Sequence, residues 1–258
     1  MSGRLAVIGL GPGSETMITP QARDEVGRAT HIFGYFPYVE RLSPRPEQIM
    51  HGSDNRQELD RARAALDLAS SGQNVAIVSG GDPGVFAMAA AICEAIDDGP
   101  PAYRDIDLVS VPGVTAMLAV AAICGAPLGH DFCAINLSDN LKPFSVIEER
   151  ALCCAQTGMA MAFYNPISKS RPWQLDHIFD RLRSHLPPQV PVIFGRAVGR
   201  PDQCVSSVAL ADAKGSMADM ATCVIVGSVT TRSIERPGRD PLIYTPRYWP
   251  DELAGDVR

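Results

Sequence analysis

An α/β fold, with a mostly parallel sheet in the N-terminal half, a mixed sheet in the C-terminal half and flanking helices, is predicted by three observations. Residues 1 to about 120 alternate strand-like and helical stretches, the pattern of parallel strands joined by crossover helices. Three of the strand-like runs end in loops of glycine and proline that lead into helices: Leu5-Ala6-Val7-Ile8-Gly9-Leu10-Gly11-Pro12-Gly13, Val75-Ala76-Ile77-Val78-Ser79-Gly80-Gly81-Asp82-Pro83-Gly84 and Leu108-Val109-Ser110-Val111-Pro112-Gly113-Val114-Thr115-Ala116. After Pro127 the texture changes, and Gly199-Arg200-Pro201-Asp202 reads as a turn joining two strands into an antiparallel pair. The division expected is an α/β domain over 1–120, a mixed α/β domain over 121–240 and an extended tail over 241–258.

Taken in order, the first half holds a strand at 5–10, a helix at 20–29, a strand near 31–34, a helix at 55–71, a strand at 75–79, a helix at 85–97, a strand at 106–111 and a helix from Thr115. Within 58–68 apolar positions recur at helical spacing with charges between them, so the charges form a solvated face. The uncharged run 111–128 invites a transmembrane reading. Pro112, Gly113, Gly125 and Pro127 cut its helical part well below the roughly 20 residues a span needs, which leaves a buried core helix. Strands follow at 132–137, 159–164, 191–197, 204–210 and 222–229, separated by one or two helices including 172–186, and the stretch from Glu235 is rich in Pro, Arg and Asp.

The chain of 258 residues is 46% hydrophobic, ample for a core in one large or two modest domains. A formal net charge of -6 argues against a binder that tracks nucleic-acid phosphates. The basic residues are nearly all arginine, with Lys142, Lys169 and Lys214 the only lysines. Arginine's planar fork suits carboxylates, although genomic base composition produces the same bias. The seven cysteines are odd in number and contain no C-x-x-C, so they read as free thiols of a reducing cytoplasm. The five histidines lack metal-ligand spacing, and no metal site is expected. The N-terminus runs straight into a strand and glycine loop, with no signal peptide indicated.

Glycine loops at strand ends bring backbone up to a ligand, and parallel strands would gather the three on one sheet edge. A dinucleotide fingerprint is not present, because Ser14 stands where the last glycine belongs and Pro12 has no N–H to offer a pyrophosphate. Asp82 is placed either to accept from a cationic amine or to cap a helix with Pro83 in the first helical position. Thr115 and the small Ala116 suit either backbone pairing with a ligand or a capped helix start. Tyr164-Asn165-Pro166 stops a strand where an adenine ring would lie, or makes a plain turn.

The three loops, with Tyr164-Asn165-Pro166 and Gly227-Ser228-Val229-Thr230-Thr231-Arg232, resemble the tetrapyrrole methylase family over nearly the whole chain. Asn55-Arg56-Gln57-Glu58, Ser79 to Val85, His130-Asp131-Phe132, Leu137-Ser138-Asp139 and Tyr164-Asn165-Pro166 are most similar to members that methylate a precorrin at carbon 17 in the cobalamin pathway. The resemblance implies the two-domain tetrapyrrole-methylase-like fold, a cytoplasmic homodimer, and S-adenosylmethionine in the cleft between domains. It carries cofactor contacts onto Pro12, Gly80, Gly81, Asp82, Val85, Thr115, Ala116, Asn165 and Val198, many of them through backbone. A polycarboxylate tetrapyrrole would meet two or three of Lys142, Lys169, Arg171, Arg200 and Arg232. Methyl transfer from a sulfonium needs alignment and exclusion of water more than a protein nucleophile. Ring contraction needs proton transfers, for which His130, Asp131 and Asp139 are candidates, Asp139 foremost. Another precorrin, cobalt-precorrin or uroporphyrinogen methyltransferase is the alternative. A noncatalytic tetrapyrrole-binding protein is the third, against which Gly80-Gly81-Asp82 argues.

Overall fold

The computed structural model describes residues 3–54 and 56–250, so Asn55 of the Asn-Arg-Gln-Glu motif lies outside the described residues. The chain divides into two compact units between Ala116 and Met117.

The first unit contains β1 (Arg4–Gly9), α1 (Pro20–Arg28), β2 (His31–Tyr35), α2 (Phe36–Val39), β3 (Ile49–Ser53), α3 (Glu58–Ser70), β4 (Asn74–Ser79), α4 (Met88–Asp97) and β5 (Asp107–Val111). The strands form one sheet in the order β3-β2-β4-β1-β5, with every pairing parallel. Central β1 and β4 are buried from their second residue on, as strands covered on both faces must be, and they accordingly read as unbroken apolar runs. Leu5, Val7, Val75 and Ile77 pack with Ala62, Ala65 and Leu66 of α3 on one face, while Ala6, Ile8, Ala76 and Val78 meet Ala22 of α1 on the other. Thr19 caps α1 through Ala22 N at 3.1 Å, with Pro20 as its first residue.

Two elements depart from the sequence reading. A strand forms at β3, where Met50, His51 and Gly52 offer no apolar run, because the edge of β2 supplies backbone partners. α4 begins at Met88 rather than Val85, because Phe86 takes a left-handed conformation with φ 53° that no helix accepts.

The second unit contains α5 (Ala116–Cys124), β6 (Gly125–Ala126), β7 (Phe132–Asn136), α6 (Phe144–Gln156), β8 (Ala160–Tyr164), α7 (Gln174–Leu182), β9 (Pro191–Arg196), β10 (Cys204–Ala209), β11 (Thr222–Val226), β12 (Arg232–Arg236) and β13 (Arg239–Tyr244). Its main sheet runs β10-β9-β11-β8-β7 and is mixed, with β7 and β8 parallel and the other pairings antiparallel. The turn at Gly199 joins β9 to β10 as the sequence indicates. Phe163, Phe179, Leu137, Ile147 and Met161 are fully buried at the centre of this unit. Gly195 of β9 leaves room for α5, since a Cβ there would stand 2.2 Å from Val120 Cγ2.

The expected core helix over 111–128 is shorter than its apolar run, ending at Cys124 before Gly125 at φ 128°. No helix among the described residues is long and apolar enough to cross a membrane. Of the tail expected to be extended over 241–258, residues 241–244 belong to β13, which forms a hairpin with β12 and also pairs in parallel with β6, and residues 251–258 lie outside the described residues. Beyond the hairpin, Thr245 N donates to Ala126 O at 3.0 Å, and Trp249 lies where a Cβ on Gly158 would be, 2.3 Å from the ring.

Candidate functional site

In the first unit the carboxyl ends of β4, β1 and β5 lie side by side, with Gly9 beside Ser79 and Ile8 beside Val111. All three glycine loops therefore leave from one sheet edge, where open α/β sheets take ligands. They touch backbone to backbone. Gly11 and Gly81 exchange N–H to carbonyl bonds of 3.1 and 2.9 Å. A Cβ on Gly113 would stand 2.2 Å from Gly81 O, and one on Gly9 2.5 Å from the same oxygen, so only glycine permits this approach.

Asp82 locks the arrangement. Its Oδ1 accepts from Gly84 N at 2.8 Å and its Oδ2 from Gly113 N at 3.0 Å, tying the second loop to the third. This corrects the capping alternative: α4 starts six residues later, at Met88, after Ala87, which makes no side-chain cap bond. Gly81 has φ 69°, and the atom nearest a would-be Cβ is Thr115 Cα at 3.7 Å, an ordinary van der Waals distance, so it is the left-handed backbone and not crowding that calls for glycine there. Thr115 is buried, while Pro12, Gly80, Val85 and Ala116 are half-buried along the same loops.

Two residues of this edge escaped the sequence reading. Arg41 donates from Nη2 to Leu10 O at 2.7 Å and Gly13 O at 3.1 Å, and from Nη1 to Gly11 O at 3.0 Å. With three carbonyls turned toward one guanidinium, the first loop is fixed in shape. Tyr38 lies under Gly80, where a Cβ would come within 2.7 Å of its ring. Tyr38 lies within α2 and Arg41 two residues after it, a single turn of helix that carries no periodic signal.

In the second unit the parallel pair β7–β8 ends at Asn136 beside Tyr164. Asn165 is left-handed, with φ 49°, and donates from Nδ2 to Asn136 Oδ1 at 3.1 Å. Asn136 Oδ1 also accepts from Ser138 N at 2.9 Å, so the two strand ends share one amide. Tyr164 Oη accepts from Met117 N at 3.0 Å at the start of α5. Asp139 and Arg171 come together here, Nε to Oδ1 at 3.8 Å, and Arg171 Nε donates to Ser168 Oγ at 3.1 Å. Lys142 joins the same loop, with Nζ 3.4 Å from Ser138 O, and burial followed by Arg150 lowers its pKa.

The remaining candidates stand apart from that cluster in their surroundings. Lys169, Arg200 and Arg232 are exposed, Arg232 beside Tyr244 and Tyr248. His130 Nδ1 accepts from Asp131 N at 2.7 Å, a bond within the turn, and Asp131 is exposed. Val198 is buried, so any ligand contact there falls to its backbone. It follows Ala197, left-handed at φ 50°. Among the described residues, Phe86, Asn165 and Ala197 are the non-glycine residues with positive φ, and each is a candidate cofactor residue or adjoins one. Backbone strain of this kind, worth roughly 1 to 3 kcal/mol a residue, is characteristic of ligand sites. The Gly227 to Arg232 motif is a buried hydroxyl chain: Thr231 Oγ1 meets Ser228 N and Thr245 Oγ1 at 2.8 Å each, and Thr245 donates to Pro127 O at 2.6 Å. No cluster of three or more metal-ligating side chains occurs among the described residues.

Residues 4–214 match the family model of the tetrapyrrole (corrin/porphyrin) methylases. The chain is 59% identical over 249 residues to the precorrin-3B C(17)-methyltransferase of Sinorhizobium sp, a match that covers 96% of this chain and 98% of that one. It is 42% identical over 255 residues to the cobalamin biosynthesis protein CobIJ of Mycobacterium tuberculosis, covering 97% of this chain and 49% of that protein. The crystal structure of the methyltransferase CobJ superposes with a TM-score of 0.90 at 51% identity, over 95% of this chain and all of that one. The uroporphyrin-III C-methyl transferase of Thermus thermophilus, complexed with S-adenyl homocysteine, shares the fold at a TM-score of 0.67 and 20% identity, over 88% of this chain and 98% of that one. A glycine-walled edge on a parallel sheet, a mixed-sheet second unit and a match over most of the chain lead to one conclusion: this protein belongs to the tetrapyrrole (corrin/porphyrin) methylase family.

Proposed function

We propose that the chain transfers a methyl group from S-adenosylmethionine to carbon 17 of precorrin-3B, with contraction of the macrocycle to precorrin-4. The observation that carries the reading is the cradle of Gly9, Gly81 and Gly113 held by Asp82, which sets backbone N–H and carbonyl groups at the sheet edge in a chain of this family. The choice of substrate rests on the Sinorhizobium relative, similar along almost its full length. The cradle suits a cofactor with an amino acid and a nucleoside part, because glycine at Gly9, Gly81 and Gly113 brings unshielded backbone to the sheet edge. Pro12, Gly80, Gly81, Asp82, Val85, Thr115, Ala116, Asn165 and Val198 are the residues we propose for its binding. When bound, the cofactor supplies an electrophilic methyl on a sulfonium.

The chain's own residues position and desolvate. Arg41 and Asp82 keep the loops from collapsing, so alignment is arranged before the ligand arrives. Arg171 and Lys142, with Lys169, Arg200 and Arg232 further out, offer cations to the substrate's carboxylates. Asp139 is the proposed proton carrier for the ring contraction. We propose further that the enzyme works in the cytoplasm as a homodimer. The seven free cysteines support the first, and the exposed apolar Leu118 and Ile123 of α5 support the second.

Calorimetry with S-adenosylmethionine, S-adenosylhomocysteine and NAD tests the cofactor. A ligand at about 100 times its dissociation constant should add roughly 2.7 kcal/mol of stability. Incubation with methyl-labelled cofactor and a panel of precorrins, with NMR of the product, tests the substrate. Binding of NAD with no response to either sulfur ligand overturns the reading.

A further inference from the structure

Three other buried or half-buried arginines of this protein each place at least two N–H donors on acceptors, mostly backbone carbonyls. Arg41 takes three carbonyls, Arg183 takes Leu210 O and Ala213 O, and buried Arg61 takes Ser53 Oγ and Asp54 O. Arg171 does not. Its side chain is only 15% exposed, yet of its five N–H donors a single one, on Nε, has a hydrogen-bond acceptor among the described residues. Nη1 is buried without a partner, and Nη2, also lacking an acceptor, keeps contact with solvent. The Asp139 carboxylate stands at 3.8 Å from Nε, inside ion-pair range and outside hydrogen-bond range. A few residues on, Gln174 is fully buried with neither polar atom bonded, so this stretch holds two polar side chains with unmet hydrogen-bonding capacity.

Leaving a guanidinium so poorly matched is unfavourable unless another acceptor completes it. With Nη1 buried, a carboxylate reaches the fork along Nη2 and the Nε edge, the side that Asp139 partly occupies. We propose that Asp139 is an internal stand-in for a substrate carboxylate: it neutralises Arg171 in the free protein and is displaced when an acetate or propionate arm of the tetrapyrrole docks there. This rests on the tetrapyrrole reading of the second unit and deepens it, since it makes binding a trade of one carboxylate for another. Asp139 then has its oxygen released only when substrate is in place.

The test uses full-length protein and uroporphyrin III, a stable fluorescent octacarboxylate, titrated into wild type, Asp139→Asn, Arg171→Ala and the double variant, with melting curves to verify folding. Asp139→Asn should bind about two- to fivefold more tightly, the range of a solvent-accessible ion pair relieved of competition. Arg171→Ala should bind about tenfold or more weakly. In the Arg171→Ala background the Asp139→Asn gain should vanish, which separates competition for Arg171 from a mere loss of negative charge. Arg171→Lys keeps the charge and loses the fork, and should recover only part of the affinity. A gain from Asp139→Asn that persists without Arg171, or no gain at all with tight binding by the wild type, overturns the exchange and leaves the tetrapyrrole reading standing. No binding of the porphyrin to any form counts against both.

Discussion

Replacing Asp82 by alanine should do more to ligand binding than to folding, although it will hurt both. The carboxylate accepts two backbone N–H groups, Gly84 at 2.8 Å on the exposed side and Gly113 at 3.0 Å in a half-buried position. A hydrogen bond to a charged acceptor contributes roughly 1.5 to 3 kcal/mol, less where water competes, so the two together should cost roughly 2 to 4 kcal/mol. At the entropy of unfolding usual for this chain length, melting should fall by about 4 to 7 °C. The larger consequence is geometric. Gly113 is no longer tied to the second loop, while Gly81 O and the Gly113 Cα still crowd each other, so the two loops drift apart. Each backbone contact to a ligand then has to be ordered during binding, and the affinity for S-adenosylhomocysteine should fall by about tenfold or more. Calorimetry and thermal melting on one preparation measure both effects, the first well below the new melting point. A variant that melts lower but binds S-adenosylhomocysteine with wild-type affinity would show that Asp82 supports the fold and that the cradle does not need it.

Arg41→Ala should loosen the first loop by removing three carbonyl contacts, lowering affinity for the same ligand by about tenfold. Guanidinium ion at low millimolar concentration should restore part of the loss, and failure of rescue with an unchanged melting point would argue against a positioning role. A second prediction concerns pH. His51 stacks on Phe33 at 4.2 Å and shares a 3.0 Å hydrogen bond with His31, and burial, then His31, hold its pKa below the ordinary value. The fold thus favours neutral His51. As the pH falls below about 6.5 the unfolded chain takes a proton that the folded chain refuses, so stability is lost from there downward and is level above. Melting temperatures between pH 8 and 5.5 should show this slope in the wild type and a shallower one in His51→Gln, and equal slopes would refute it.

Where burial writes a pattern, the sequence was readable. β1 and β4 are apolar because both faces are covered, and their loops are glycine because backbone meets backbone there, so strand, loop and sheet edge could all be anticipated. The β9–β10 pair announced itself through its turn. The elements that were not foreseen lack such a pattern. β3 and β12 are edge strands with little burial, held by pairing and not by alternation, and His51-Gly52 or Arg232 to Arg236 look like loop in isolation. Within the candidate site, Asp82 was found but its partners were not, because Gly113 is brought beside it by strand order alone. Arg41 was invisible for the same reason. The Asp139–Arg171 proximity likewise depends on the parallel register of β7 and β8, which no local signal encodes.

The strand order of the first unit also bears on how the protein folds. β1 is made first and lies between the two strands that flank the cradle, but β4 starts at Asn74 and β5 at Asp107. β1 must therefore wait through three connections on one side and four on the other before it is paired, with its apolar residues in search of cover meanwhile. Contacts so distant along the chain are slow to close. The ligand edge is consequently among the last parts of this unit to be completed, and a nascent chain shorter than β5 has the first glycine loop in hand with nothing to set it against.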